Sequence, residues 1–325
     1  MVIAAVPLML AVGLATDYSL SVETHSGMQN ALDASTQSLT TLPRTDSDAD
    51  RLKKLQDDYE ANGGQGTAVL EAYDFDADGT LHVKTSASYD MPTSFMKLAH
   101  VDDVSIGVSS GIEKSPSLVE ATFKIDKASG YWNKTISLYG TKFKEKDAKP
   151  LMKIEYQYNG GGGDKGYGTT TVLTPDNEGN FTKIAQKQVC TTTDYKKKNM
   201  VKGMLRDGDK MTACEFTVGD GSGAPIDVSQ MDGLYLQMDV PSGRPNVLKS
   251  DDPNTSDRLF IDSVEVPTGR DVDIFTAVPC GETSSQAWED GGSPVPGPVD
   301  KADFFYSVTG KCNYSQRVAQ TRFTR

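Results

Sequence analysis

The first 42 residues constrain the fold most strongly, because they have the pattern of one long helix that is apolar at its start. No charged residue precedes Asp17, and the stretch 18–42 contains no proline and one glycine, Gly27. Within that stretch, apolar residues recur at spacings of three, four and seven, which places them on one face of a helix. The stripe consists of Met28, Ala31, Leu32 and Leu39.

We interpret the apolar start of this helix as a membrane anchor. A complete crossing of the hydrocarbon core needs about 20 apolar residues, and the uncharged run before Asp17 is shorter than that. We therefore expect an anchor whose first residues precede Met1. A signal peptide is one alternative, although Met1-Val2 lacks the basic start that such peptides have. A buried core helix is the other. No Lys or Arg precedes Arg44, so flanking charge does not set the orientation.

Two stretches of the N-terminal third resemble a known family. Ala11-Val-Gly-Leu-Ala-Thr-Asp-Tyr18, followed by Met28-Gln-Asn-Ala-Leu-Asp-Ala34, is similar to the start of TadG-like (TadE/TadG family) Flp pilus-assembly proteins. Segments 83–98 and 104–110 resemble the strand, the Pro-Thr-x-Phe-Met helix and the returning strand of the same family. The resemblance covers residues 2–112 and does not extend to the rest of the chain.

The resemblance implies a structural subunit of a bacterial Tad (Flp-type IV) pilus system. Such a protein is expected at the inner membrane as a single-pass protein, with its folded part in the periplasm or outside the cell. We expect the apolar stripe to contact other pilus-assembly or pilin-like subunits, with packing on the protein's own domain as the alternative. A surface adhesin, or a module that binds a glycan or another ligand, is the alternative function.

Composition narrows the class of protein. The 325 residues carry a net charge of −12 with a pI near 4.8, which argues against a nucleic-acid partner. A mean hydropathy of −0.44 excludes a polytopic membrane protein. The sequence has four cysteines, an even number that suggests two disulfides in an oxidising compartment, with free thiols as the alternative. Pairing Cys190 with Cys214 and Cys280 with Cys312 gives the shortest loops, but the sequence does not choose among the three pairings.

The predicted fold class is α+β, in three segments. Residues 1–42 form the anchoring and amphipathic helix, 43–114 a small α/β module, and 115–325 a β-rich domain of β-sandwich or jelly-roll type. In the module we predict a helix capped by Ser47, two strands joined by a turn, a short helix and a third strand. These elements are placed at 48–60, 68–75, 81–89, 93–99 and 101–110.

The β-rich segment shows alternating strands separated by Gly, Asp and Pro turns. Most of the candidate elements are strands, one of them at 272–278. We also predict a short helix at 201–205 and an exposed loop at 284–298, where a Gly-Gly pair and three prolines occur.

The sequence offers one weak metal candidate. Asp74, Asp76 and Asp78, followed by Gly79, match the first half of an EF-hand calcium loop. The glutamate that should follow is Thr85, and the flanks have strand patterns. We therefore interpret the stretch as a hairpin turn, with calcium binding as the alternative.

A magnesium site is not carried over from the family. Many TadG-like proteins continue into a von Willebrand A domain, and its metal-binding aspartate would correspond to Asp126. The two serine ligand positions are Ala128 and Gly130 here, so we interpret Asp126 as a turn residue.

No catalytic group stands out. The Gly107-x-Ser109-x-Gly111 match to a hydrolase motif would need a later histidine, and none follows His100. We expect a protein that is not an enzyme and has no cofactor.

Overall fold

The computed structural model describes residues 2–162, 165–219, 221–291, 294–317 and 320–324, and it divides into two compact units. Unit 1 comprises Met1–Ser117 and Asn313–Arg325, and unit 2 comprises Leu118–Cys312. Unit 2 is therefore an insertion in the chain of unit 1. This differs from the predicted segments in two ways. The N-terminal helix and the small module form one unit, and the last residues belong to it rather than to the β-rich domain.

Unit 1 combines two helices with a four-stranded antiparallel sheet. Its strands lie in the order β1-β2-β3-β18. The elements are α1 (Val2–Leu39), α2 (Asp48–Ala61), β1 (Thr67–Phe75), β2 (Leu81–Pro92), β3 (Asp103–Lys114) and β18 (Thr321–Phe323). A short 3₁₀ helix, Met96–Ala99, lies between β2 and β3, so the helix predicted at 93–99 is shorter than expected.

The ends of α2 follow from local chemistry. The hydroxyl oxygen of Ser47 accepts a hydrogen bond from the Asp50 backbone N–H at 3.2 Å, as expected for an N-cap. Asp48 and Asp50 lie in the first turn, where carboxylates complement the helix dipole. Past the last turn, Gly63 has a φ of 85°, the left-handed conformation that glycine adopts without strain.

The helices cover one face of the sheet of unit 1. Fully buried side chains from α1 and α2 pack there against Leu81, Val83 and other apolar residues of the strands. The predicted partner-helix face lies in this core, with Met28 and Ala31 each 1% exposed and Leu32 and Leu39 each 0%. Its assignment to a partner subunit is therefore corrected, because the face is used within unit 1.

The C-terminal segment completes unit 1. β18 pairs with β3, with Thr321 opposite Lys114. The buried Lys114 ammonium donates to the backbone carbonyls of Thr40 at 2.6 Å and Ser315 at 2.7 Å. Burial lowers the Lys114 pKa to about 8. The Tyr314 ring packs edge-to-face on Phe75, with ring centroids 4.9 Å apart.

Unit 2 is a β-sandwich, as predicted. One sheet has eight strands in the order β13-β12-β5-β6-β7-β8-β10-β9, and the other has six in the order β11-β4-β17-β16-β14-β15. Both sheets contribute to a single core that includes Phe123, Tyr306 and Trp288 from one side and Ile136, Leu138 and Met152 from the other.

The strands of unit 2 have the following bounds. They are β4 (Ser117–Ala128), β5 (Lys134–Lys142), β6 (Lys149–Gly162), β7 (Gly166–Thr174), β8 (Lys183–Asp194), β9 (Leu205–Asp207), β10 (Lys210–Val218), β11 (Ala224–Asp227), β12 (Met231–Asp239), β13 (Val247–Lys249), β14 (Leu259–Ile261), β15 (Val264–Glu265), β16 (Thr283–Trp288) and β17 (Phe304–Asn313).

Several local predictions in unit 2 are wrong. Residues 201–205 form no helix, and Leu205 instead begins β9. The predicted strand 272–278 contains a helical turn, α3 (Ile274–Ala277), because the Asp273 side chain caps it by accepting from the Phe275 N–H at 3.0 Å. The predicted loop 284–298 begins as strand β16. Its inward-facing positions include the polar residues Ser284 and Gln286, so the sequence shows no apolar alternation there. Asp126 lies within β4 rather than in a turn.

Candidate functional site

The first candidate site is the segment 12–22 of α1, which we call the exposed half of α1. Between Val12 and Val22 most large apolar side chains are exposed, whereas the stripe that begins at Met28 is buried. The exposed set, with the exposed fraction of each residue, is Val12 (62%), Leu14 (42%), Tyr18 (65%), Leu20 (45%) and Val22 (49%). Among the residues of α1 whose side chains are described, the stripe from Met28 to Leu39 packs on its own sheet, whereas the large apolar side chains from Val12 to Val22 stay largely exposed.

Asp17 fixes the position of the exposed half of α1. Its buried carboxylate accepts hydrogen bonds from the backbone N–H groups of Ser94 (3.2 Å), Phe95 (2.8 Å) and Met96 (2.7 Å). These groups lie at the start of the 3₁₀ helix. The bond from Met96, followed by those from Phe95 and Ser94, lowers the pKa of Asp17 against the opposing effect of burial. A carboxylate in this position acts as a cap supplied from another element.

Gly13 lies beside the same segment. A Cβ atom at Gly13 would be 2.6 Å from Cγ of Phe95 and 2.7 Å from its Cβ, which is closer than such atoms approach. Glycine is therefore the residue that lets the Phe95 ring lie against α1. Gly13 and Asp17 both fall in the first stretch of family resemblance, and Phe95 falls in the second. The two stretches thus contact each other in unit 1, a relation that the sequence analysis did not predict.

The second candidate site is a buried charge cluster in unit 2. Glu289, Asp290 and Asp303 each place one carboxylate oxygen within 4.8 Å of the others. Lys134, at the start of β5, is fully buried, and its ammonium donates to the Asp290 carboxylate. Its Nζ also lies 3.6 Å from Oδ2 of Asp303. The cluster therefore holds a cation of its own.

Neighbouring backbone groups complete this cluster. Lys134 Nζ donates to the Ser129 carbonyl at 3.1 Å. A Cβ atom at Gly130, whose φ is 112°, would lie 2.8 Å from that Nζ, so the glycine makes room for the ammonium. Lys165 Nζ approaches Oδ1 of Asp303 at 3.4 Å and donates to the Ala302 carbonyl at 3.1 Å. Sequence reasoning missed this cluster because its members are far apart in the chain.

Burial and the neighbouring Lys134 cation have opposite effects on the pKa of the Asp303 carboxyl. Desolvation raises its pKa, the attraction of Lys134 lowers it, and the proximity of Asp290 and Glu289 raises it again. The net result is a pKa of about 6. A carboxyl in this range exchanges its proton near neutral pH, which is the property needed in a general acid or base.

The calcium candidate does not form a cluster. Among the described residues, Asp74, Asp76 and Asp78 do not bring three carboxylates together. The segment is the turn between β1 and β2. The Asp78 carboxylate accepts from the Thr80 N–H at 2.9 Å, and Asp76 is paired with His82 at 2.9 Å. Asp74 instead lines an open cleft of about 410 Å³ between α2 and β1.

The four cysteines form two disulfides, and the pairing is the one with the shortest loops. Cys190 is bonded to Cys214, which joins the neighbouring strands β8 and β10. Cys280 is bonded to Cys312 of β17. The described cysteines include no free thiol.

The fold defines a protein in which a long helix and a small antiparallel sheet carry an inserted β-sandwich. Residues 1–36 match the family described as "Putative Flp pilus-assembly TadE/G-like". The predicted resemblance is confirmed for this segment, and the match supports a role connected with the Tad pilus. The second stretch of resemblance lies outside the matched residues and stays a prediction. No curated protein and no solved structure matched the chain.

The matched segment covers most of α1, including the whole exposed half described above. Within the described residues, α1 does not combine the length and apolarity needed to cross a bilayer, and neither does any other helix.

Proposed function

We propose that this protein is a structural, non-enzymatic subunit of a Tad (Flp-type) pilus assembly, and that the segment 12–22 of α1 is its assembly surface. One observation carries the proposal. The family match falls on a helix whose large apolar side chains from Val12 to Val22 are exposed, while the stripe that begins at Met28 is buried in unit 1. An exposed apolar surface of this kind favours burial against a partner.

The partner that fits this surface is the equivalent apolar helix of another pilus subunit. Complete burial of a fully exposed Leu or Val side chain contributes about 1.5–3 kcal/mol, and covering the exposed part of Leu20 or Val22 contributes a share of that. Several such contacts together hold a helix in a bundle. Polar residues such as Ser19 and Glu23 interrupt the surface, which favours packing against protein over immersion in lipid alone.

We further propose that both folded units lie on the extracytoplasmic side of the bacterial inner membrane, with the start of α1 at the membrane. The support is the pair of disulfides, because such bonds persist in oxidising compartments and are rare in the cytosol.

The proposal is tested by placing a charge on the surface without altering the helix. Leu and Lys have similar helix propensities, so Leu20→Lys changes polarity at little cost in folding. The matched control is Leu52→Lys on α2, where the leucine is 42% exposed against 45% for Leu20. Both variants are produced in cells that make the other pilus components, and their share in the pilus or membrane fraction is measured.

We expect Leu20→Lys to be lost from that fraction and Leu52→Lys to stay in it, with both proteins melting as the wild type does. Equal incorporation of the two variants would overturn the assignment of the assembly surface.

A further inference from the structure

A buried lysine–aspartate pair lies in unit 2. Lys134 and Asp290 are in direct contact, and their side chains are 0% and 4% exposed. The carbon of the Asp290 carboxyl therefore lies one bond beyond the oxygen that the amine already contacts. Removing two charges from water costs free energy, and the attraction between the two charges does not always compensate for that cost. Transfer of one proton along this contact, from Nζ to the carboxylate, would leave a neutral amine beside a neutral acid.

A second carboxyl is placed where a proton must move. Asp303 lies 3.6 Å from Lys134 Nζ and is hydrogen-bonded to Asp290. Its pKa is raised to about 6, first by burial. Lys165, 3.4 Å from the other carboxyl oxygen, holds Asp303 in this position. The amine, the carboxyl that it contacts and a proton-exchanging acid thus occupy one site.

The Lys134–Asp290 pair is shielded from bulk water. The ring of Tyr156 lies 5.6 Å from Lys134 Nζ, and the residue is 1% exposed. Its hydroxyl donates to the Gly130 carbonyl at 2.8 Å, which keeps the ring beside the ammonium. A dry site favours loss of water from an amine and an acid, because hydrolysis in the reverse direction needs water to return.

We propose that Lys134 and Asp290 form an intramolecular amide bond, with Asp303 as the catalytic residue. The neutral Lys134 Nζ attacks Cγ of the protonated Asp290 carboxyl, forming a C–N bond. Asp303 donates its proton to the departing Asp290 hydroxyl and recovers a proton from the nitrogen. The C–O bond breaks and one water molecule leaves. No oxidant, cofactor or external reactant takes part, and Asp303 is unchanged at the end.

This cross-link has a structural consequence that the disulfides lack. Cys190–Cys214 joins two strands of the eight-stranded sheet, whereas Lys134 starts β5 of that sheet and Asp290 follows β16 of the other. The amide would join the two sheets covalently across 156 residues of sequence. A sandwich closed in this way keeps its sheets together when the chain is pulled. The inference does not depend on the proposed assembly surface.

The test is the mass of the full-length protein, measured after reduction and denaturation. We expect a mass lower than that of the sequence by one water molecule. After trypsin, peptide 128–142, which contains an uncleaved Lys134, should be joined to peptide 271–301. A measured mass equal to that of the sequence, with the two peptides found separately, would overturn the proposal. The two residues would then form a buried ion pair only.

Two near-isosteric variants make the result specific. In Asp303→Asn the pair is retained but the acid is lost, and linkage should slow by about 10²–10⁴-fold. In Asp290→Asn the amine displaces ammonia instead of water, so the linked product should have the same mass as linked wild type. Linkage of Asp303→Asn at the wild-type rate would overturn the role of Asp303.

Discussion

Two residues of α1, Gly13 and Asp17, have structural roles within the segment that matches the family. Asp17 is the first charged residue after an apolar run, and it satisfies three backbone N–H groups at the start of the 3₁₀ helix. Gly13, one turn earlier, provides the space for Phe95. Both residues therefore act on segment 94–96, and together they hold the exposed half of α1 to the body of unit 1.

Replacing Asp17 with Asn should lower the stability of unit 1 in a pH-dependent way. The folded pKa of Asp17 lies below its ordinary value, so the carboxylate stabilises the fold fully above the unfolded pKa of about 3.9 and loses this effect as pH falls through the folded value. Thermal unfolding of wild type and Asp17→Asn should differ at pH 7, and the difference should shrink as the pH falls below about 3.9. A constant difference across this range would contradict the account.

At the same scale, the sequence predicted caps well and distant contacts poorly. Ser47 was predicted as an N-cap because the signal lies within three residues of sequence. Asp17 and Ser94 are 77 residues apart, and Lys134 and Asp290 are 156 apart. No local pattern connects such pairs, so the cap on the 3₁₀ helix and the charge cluster required the fold.

Among the elements, α1 has two roles along its length. Its amphipathic stripe was predicted from spacing alone, and the spacing is correct. The spacing does not say whether the stripe packs on the same chain or on a partner, because a helix face has the same apolar pattern in either case. The structure places Leu32 in the core of unit 1 and leaves Leu20 exposed.

These two roles predict that replacing leucine with alanine has unequal effects on stability at positions 32 and 20. Leu32→Ala should lower the free energy of unfolding of unit 1 by about 2–5 kcal/mol, because it removes a fully buried side chain. Leu20→Ala should change it by no more than about 0.5 kcal/mol. Chemical denaturation of the two variants measures both values. Similar losses at the two positions would mean that the exposed half also packs within the chain.

The two interior glycines of α1 give a second comparison. Gly27 is exposed with nothing within 4 Å of a Cβ position, so Gly27→Ala should stabilise the helix by up to about 1 kcal/mol. Gly13→Ala should stabilise unit 1 less than Gly27→Ala does, or should destabilise it, because the new methyl group would clash with Phe95. Thermal unfolding compares the pair directly. A larger gain at Gly13 would show that Phe95 does not rest on α1.

For the whole molecule, the central feature is the insertion of unit 2 between β3 and β18. The sequence predicted the sandwich and the change in pattern near 115, because many short alternating strands follow that point. It did not predict β18, since three residues carry no usable period. A role for unit 2 as an adhesin or glycan-binding module stays a prediction, as does the absence of enzymatic activity.

Unit 1 should fold without unit 2. The two ends of the insertion lie close together, because a Cβ atom at Gly310 would be 3.0 Å from the Leu118 side chain. Joining residues 1–117 to 313–325 through a short Gly-Ser linker should therefore preserve cooperative unfolding and helical circular dichroism. A variant that also lacks 313–325 should not unfold cooperatively. In that variant Lys114 would lose its hydrogen bond to Ser315, and β3 would lose its pairing with β18. Loss of folding in the linked form would show that the units depend on each other.

The assembly role of α1 is tested most directly by site-specific photo-cross-linking in cells that make the complete pilus machinery. A photoreactive residue at position 20 or 22 should label another pilus subunit or a second copy of this protein, whereas the same residue at position 52 should not. Labelling of subunits from position 52 but not from 20 or 22, or no difference between them, would contradict the account.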